Sequence, residues 1–164
     1  MNSEIKKINL EEESYSIKTN NPFENFSYLR AMEESGSASE TSGWIPDHLG
    51  EIENKKLISF MPLYKKFNSY GEFIFDHQWA NALQRAGRSY YPKLLTAIPF
   101  TPCEGDRILA KNKKNKFNLI DAGIRKMEME QIESWHILFP NEDCKTVLRD
   151  KNFIERLNYR FTWI

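Results

Sequence analysis

The stretch from Ser69 to Lys93, S-Y-G-E-F-I-F-D-H-Q-W-A-N-A-L-Q-R-A-G-R-S-Y-Y-P-K, sets the tightest limits on how this chain can fold. A turn, a short apolar run, a helical pattern and a double-tyrosine loop follow one another. Charged residues, Glu72, Asp76 and Lys93, stand at the junctions. Aromatics, Tyr70, Phe73, Phe75, Trp79, Tyr90 and Tyr91, fill the intervals. A segment of pure core has no use for acids and phenols at every bend, and an ordinary loop does not carry so many aromatics.

The chain has 164 residues, which predicts one domain with a sizeable core. Acids and bases number 23 each, so no net field draws in nucleic acid or an anionic membrane. The one local basic run, Lys111, Lys113, Lys114 and Lys116, reads as a solvated loop. Two cysteines, Cys103 and Cys144, are too few for a disulfide framework or a metal site, and free thiols point to a reducing compartment. The histidines, His48, His77 and His136, show no ligand spacing, so no metal is expected. Residues 1–20 are polar, with no apolar run fit for a signal peptide, and no window is long enough to span a membrane. These features predict a cytoplasmic protein.

Hydrophobic periodicity gives an α/β or α+β order. Glu11–Ser14 offers a short helical turn. Asn20-Asn21-Pro22 starts a helix carrying Phe23, Phe26 and Leu29, which ends near Ser35-Gly36. A polar linker follows to Gly43. Trp44–Leu49 is extended, Gly50–Lys55 turns, and Leu57–Leu63 is a strand that Pro62 ends or bulges. Lys65–Tyr70 is an excursion, Glu72–Phe75 a strand, and Gln78–Arg85 a helix stopped by Gly87. Leu94–Ile98 reads as a central strand covered on both faces. Pro99–Asp106 is a loop, and Ile108–Ala110 a short strand. Asn118–Glu133 is a helix with Ile120, Ile124, Met127 and Ile132 on its buried side. Trp135–Phe139 is a strand, Asn141 caps a short helix with Val147 and Leu148, and Tyr159–Ile164 alternates as a last strand. One mixed sheet with helices on both faces accommodates this order.

The ordered set S-Y-G-E-F-I-F-D, W-A-x-A, Y-Y-P-K-L and A-I-P-F-T-P-C-E-G-D-R-I-L resembles the FemAB-like family of the GNAT acyltransferase superfamily over nearly the whole chain. Members carry peptidoglycan-biosynthesis and N-acetyltransferase labels. The resemblance implies a GNAT-like domain over residues 1–164 that matches the first half of a tandem protein. A second half or a second copy is then the expected partner. It also implies transfer of an acyl or aminoacyl group from acyl-CoA or aminoacyl-tRNA to a small-molecule or peptide amine. The rival reading is a non-catalytic recognition or structural lobe. Apart from tRNA as donor, no nucleic-acid partner is implied.

In an extended strand, Glu72 and Asp76 would share a face with carboxylates roughly 13 Å apart, too far for a joint acid–base pair. They are therefore read separately. Glu72, after the flexible Gly71, suits a base or an amine-binding acid, with a surface ion pair as the alternative. Asp76 sits where it can cap the following helix or face substrate. Lys93 can pair either acid or meet a phosphate, as can Arg85 and Arg88. Tyr70, Trp79, Tyr90 and Tyr91 suit core or a cleft wall. The resemblance implies a tyrosine that protonates a departing thiolate, and the sequence singles out no one tyrosine for it; Tyr70 is counted with Glu72 as catalytic, and Tyr70, Tyr90 and Tyr91 orient substrate. Asn68 and Ser69 complete the substrate-binding set. Asn68 stands where the family carries histidine and keeps a hydrogen-bonding capacity. Gln84, Gly87 and Ser89 resemble the Q-x-x-G-x-G/A pyrophosphate loop of GNAT enzymes, but fall at a predicted helix end, where carbonyls rather than N–H groups point outward.

Overall fold

The computed structural model describes residues 3–11, 17, 19–74 and 76–157. The elements run β1 (Glu4–Lys7), a 3-10 turn (Pro22–Glu24), α1 (Phe26–Glu34), β2 (Trp44–Pro46), β3 (Leu49–Glu53), β4 (Lys56–Met61), β5 (Tyr64–Lys66), α2 (His77–Arg85), β6 (Lys93–Thr96), β7 (Leu109–Ala110), α3 (Lys113–Glu130), β8 (Trp135–Ile137) and α4 (Glu142–Asp150). The α/β class read from the sequence holds. Instead of the one mixed sheet expected, the strands among the described residues divide at Pro62 into two four-stranded sheets, β1-β3-β4-β7 and β2-β5-β6-β8. Pairing is antiparallel throughout, except between β6 and β8.

One hairpin carries both sheets. Trp44 pairs with Lys66 and Leu49 with Met61, so a single register continues from β2–β5 into β3–β4. The break falls at Pro62, which has no N–H to give to a ladder. On either side the backbone stays paired, with Asp47 N–H donating to Leu63 O at 2.8 Å. Leu63 N–H turns to a side chain instead, donating to Nδ1 of the buried His48 at 3.0 Å. That contact leaves the imidazole proton on Nε2, which meets Glu33 Oε1 of α1 at 2.7 Å. Pro62 thus parts the sheets and His48 closes the gap.

Several boundaries differ from the sequence reading. The polar amino-terminal segment contributes β1, paired to β3, and places Ile8 and Leu10 in the core. The β3–β4 turn is shorter than Gly50–Lys55. Asn54 and Lys55, at φ 51° and 61°, make it alone, the geometry of a two-residue hairpin. Tyr64–Lys66 is a strand rather than the start of an excursion, because Tyr64 and Lys66 alternate inward around Lys65. Glu72–Ile74 is not a strand. The long helix begins at Lys113, where Asn112 Oδ1 accepts from Asn115 N–H at 3.0 Å. Lys113 and Lys116 are therefore helical, paired with Asp150 and Asp106 at 2.7 and 2.6 Å, not part of a loop. Asn21 and Asn25 cap the 3-10 turn and α1 in succession, and Asn141 caps α4. The expected final strand, Tyr159–Ile164, and most of the Glu11–Ser14 turn lie outside the described residues.

Apolar clusters lie on both sides of the first sheet. Phe26, Leu29, Leu57 and Phe60 pack with Ile8 and Leu10. Leu49, Met61 and Leu63 pack with Leu119, Ile120 and Val147. Gly123 lets α3 press against the Trp135 ring, whose Cη2 lies 2.5 Å from where a Cβ would stand. The loop after β6 is braced by the wholly buried Arg107. It donates from Nε to Leu138 O at 2.8 Å and from Nη2 to Cys103 O, and its Nη1 lies 3.6 Å from Glu24 Oε1. The C-E-G-D-R portion of the long motif is accordingly a structural bracket.

Glu51 is a buried carboxylate held by neutral donors: Ser3, Ser59, Asn115 and Asn118 at 2.6, 3.1, 2.7 and 3.0 Å. It ties β3 to β4 and α3. Burial pushes its carboxyl up, but those hydrogen bonds outweigh burial and hold it below the ordinary glutamate range. A depressed folded pKa gives stability that is present above the unfolded value of 4.5 and is lost as pH falls through the folded one. Glu51→Gln points an NH2 at these donors and should lower stability by roughly 2–3 kcal/mol in urea unfolding at neutral pH. The deficit should shrink as pH falls below the ordinary glutamate range.

Candidate functional site

Trp44, Lys66 and Lys93 lie in register across β2, β5 and β6, the first pair and the second each directly opposite. Residues so placed share a face and stand close. Both lysines are fully buried. Two ammonium groups side by side in the interior repel, and each has lost its water, so the fold must bring counter-charge to them.

The counter-charge comes from the loop after β5. Gly71 and Phe73 have φ 77° and 57°, so the chain turns back on itself around Glu72. Gly71 is required twice over, by its positive φ and because a Cβ would stand 2.5 Å from the Phe100 ring. The turn sends Glu72 inward, where Oε2 accepts from Lys93 Nζ at 2.8 Å. Asp76 Oδ2 accepts from the same Nζ at 2.5 Å. Glu72 and Asp76 therefore converge, contrary to the separation expected of a strand. Asp76 does hold the N-cap position of α2, but its side chain makes no capping bond. Its Oδ2 accepts instead from Ser69 Oγ at 2.8 Å and Tyr90 Oη at 2.7 Å. Ser69 also bonds Lys93 Nζ at 2.9 Å and Tyr91 Oη at 2.7 Å. Tyr90 and Tyr91 meet edge to face, their centroids 5.0 Å apart. Six sequence-predicted residues, Ser69, Glu72, Asp76, Tyr90, Tyr91 and Lys93, thus form one connected cluster.

Others lie around it. Tyr70 contributes its carbonyl, which accepts from Trp44 Nε1 at 2.9 Å and Lys66 Nζ at 3.1 Å, while its ring is 75% exposed. Asn68 Oδ1 accepts from Tyr70 N–H at 3.0 Å, and its amide packs where a side chain on Gly43 would clash. Trp79 stands out from α2 with the Arg156 guanidinium 4.3 Å from its ring centroid. Phe67, Phe73 and Phe100 are also exposed. Gln84, Gly87 and Ser89 sit at the far end of α2. There Gly87 N–H donates to Gln84 O at 3.0 Å, Arg88 N–H to Leu83 O at 2.9 Å, and Ser89 Oγ to Tyr91 O.

Two members escaped the sequence reading, Lys66 and His136. Lys66 Nζ lies 3.9 Å from the Trp44 ring centroid and 4.0 Å from Glu72 Oε1. His136 Nε2 is 3.4 Å from Tyr90 Oη. Period-two alternation from Tyr64 would have turned Lys66 inward, whereas a lone histidine in W-H-I-L gives no signal.

Burial governs the electrostatics. It pushes the Glu72 carboxyl up, against the pull of Lys93 and Lys66. At Asp76 burial acts in the same direction, but hydrogen bonds from Lys93, Tyr90 and Ser69 win and the carboxyl is lowered. Burial, with Asp76 alongside, raises the Tyr90 phenol. Burial and the Lys93 charge lower His136 to about 4. Glu72, Asp76 and His136 bring ligand atoms within 4.8 Å of one another, a spacing open to a metal ion. The Lys93 ammonium stands against both carboxylates at this spacing. Among the described residues, Glu72 Oε1 and Asp76 Oδ1 are buried without hydrogen-bond partners.

A family model described as peptidoglycan biosynthesis/recognition, the FemAB-like family, matches residues 4–164. The chain belongs to the FemAB-like family, which ties it to peptidoglycan biosynthesis or recognition. No curated protein and no solved structure matches it. Among the described residues no helix is long and apolar enough to cross a membrane.

The histidine offers a direct check. With a folded pKa of about 4, His136 stays neutral while an unfolded histidine charges near 6.5, so its contribution to stability falls as pH drops below 6.5. Its ring-carbon NMR shift should be flat from about pH 5 to 8, where a free histidine moves through its full range.

Proposed function

We propose that this chain is the lobe of a GNAT-type transferase that moves an acyl or aminoacyl group onto an amine of a peptidoglycan precursor, the cluster around Glu72 being its polar centre. What supports this reading most is the pair of buried carboxylate oxygens, Glu72 Oε1 and Asp76 Oδ1, without hydrogen-bond partners and beside a lysine-fixed core. Such oxygens can receive the N–H groups of an amine acceptor. Glu72 would bind that amine. Asp76, Ser69, Tyr90 and Tyr91 would orient it, with Lys93 as the positioning residue that fixes both acids. Tyr70, Trp79 and Asn68 would line the approach, and Tyr70 would protonate the leaving group. The donor would be acyl-CoA or aminoacyl-tRNA. The residues proposed to hold a donor pyrophosphate, Gln84, Gly87 and Ser89, would have to rearrange, since the N–H groups of Gly87 and Arg88 already close the end of α2. We also propose a cytoplasmic setting and a second GNAT half or second copy as partner.

That engaged helix end favours a second reading, a recognition lobe that binds precursor without turning it over. Calorimetric titration with acetyl-CoA and with CoA tests the acyl-CoA form of the transferase reading. Transfer from acyl-CoA predicts micromolar binding, and in an active chain Glu72→Gln should lower turnover roughly a hundredfold with the fold intact. Unchanged turnover would remove Glu72 from the chemistry. A folded chain that binds neither ligand would leave aminoacyl-tRNA or the recognition lobe.

A further inference from the structure

The two buried lysines of the site differ in one respect that bears on chemistry. Lys93 Nζ has three hydrogen-bond acceptors, Ser69 Oγ, Glu72 Oε2 and Asp76 Oδ2, which matches the three donors of an ammonium. Lys66 Nζ has one among the described residues, the carbonyl of Tyr70 at 3.1 Å. Its next neighbours are the Trp44 ring face and Glu72 Oε1, the latter at 4.0 Å and beyond hydrogen-bond reach. An ammonium there leaves donors unmet in the interior. A neutral amine, with two N–H groups and a lone pair, leaves fewer.

We propose that Lys66 is the proton acceptor of this site, a neutral buried amine that takes the proton released when the acceptor nitrogen bonds to the acyl carbon. This rests on the acyl-transfer reading. In the step, the acceptor's N–C bond forms and the donor's C–S bond, or ribosyl C–O bond, breaks. The electron pair of the broken bond leaves with the thiolate or alkoxide. The surplus proton of the acceptor nitrogen passes to the Lys66 lone pair. The new ammonium then lies 4.0 Å from Glu72 Oε1, a buried oxygen with no hydrogen-bond partner that can take its charge.

The groups facing Lys66 act in both directions, and the Trp44 ring face 3.9 Å away favours the ammonium. Burial acts first to disfavour its charge, and Lys93, opposite it on β6, acts the same way. Glu72 from the turn and Asp76 at the start of α2 oppose them, and the net result is a pKa lowered to about 7. A base poised there is half free at neutral pH, where a surface lysine is almost wholly protonated.

Carbon-detected NMR of lysine side chains in the full chain tests the charge state. One resonance, absent from Lys66→Arg, should titrate near neutral pH; titration above pH 10 would overturn the proposal. Should Lys66→Arg not fold, Lys66→Met serves instead. A folded pKa below the unfolded 10.5 means the unfolded chain binds more protons between about 7 and 10.5. Wild-type stability should therefore rise with pH across that window relative to Lys66→Met, and parallel curves would contradict a neutral Lys66. The chemical role is read separately. In an active chain Lys66→Met should lower kcat at least tenfold with KM little changed, removing the limb of the pH–rate profile near 7. Unaltered kcat would overturn the role while leaving acyl transfer standing. A wild-type chain that transfers no group from either donor would sink the acyl-transfer reading, and the role with it.

Discussion

Two lysines placed directly opposite one another on buried neighbouring strands are the constraint from which the rest of this site follows. Lys66 and Lys93 cannot reach water, and two ammonium groups would repel across the β5–β6 pair. The chain answers with two carboxylates delivered by a single turn. Gly71 and Phe73 take positive φ so that Glu72 points inward, and α2 starts at Asp76 so that this second acid stands over Lys93. Ser69 and Tyr90 then bond Asp76 Oδ2 and Tyr91 bonds Ser69, while among the described residues Glu72 Oε1 and Asp76 Oδ1 keep no hydrogen-bond partner. Removing one partner of such a buried set leaves an uncompensated charge, which costs far more than a surface ion pair contributes. The aromatic residues on the outside of the same turn are free to face solvent because the inside of the turn is occupied by charge.

The scaffold makes this placement possible. A single hairpin, parted by Pro62 and closed by His48, feeds one strand pair into each sheet, so that Lys66 emerges beside Trp44 and against β6. Glu51 and Arg107 tie the periphery together, each a buried charged group held by several segments at once. Buried polar groups arranged in this way specify one register, since a slip of a single residue would strand each of them.

Much of the fold was legible in the sequence. The caps at Asn21 and Asn141, the central strand near Leu94–Leu95, the stop at Gly87 and the interruption at Pro62 each follow from a local rule. The cluster was legible in membership but not in geometry. Glu72, Asp76 and Lys93 stood out as charges among aromatics, yet a strand was read where the chain turns, because F-I-F is apolar and nothing local announces a positive φ at Phe73. Asp76 looked like a cap, and a cap and an ion-pair partner are the same residue in sequence. Lys66 was hidden by its neighbour Lys65, which made a half-buried strand look like a basic loop. His136 depends wholly on the parallel pairing of β8 with β6, a long-range contact.

Membership of the FemAB-like family ties the chain to peptidoglycan biosynthesis or recognition. The most direct measurement is a double-mutant cycle on unfolding free energy between Lys93→Met and Asp76→Asn. A Lys93 ammonium that holds the site together predicts that the two changes are strongly coupled, by about 2 kcal/mol or more, the double variant being less damaged than the sum of the singles. Additivity within about 0.5 kcal/mol would mean that the two groups do not depend on each other, and would contradict the account.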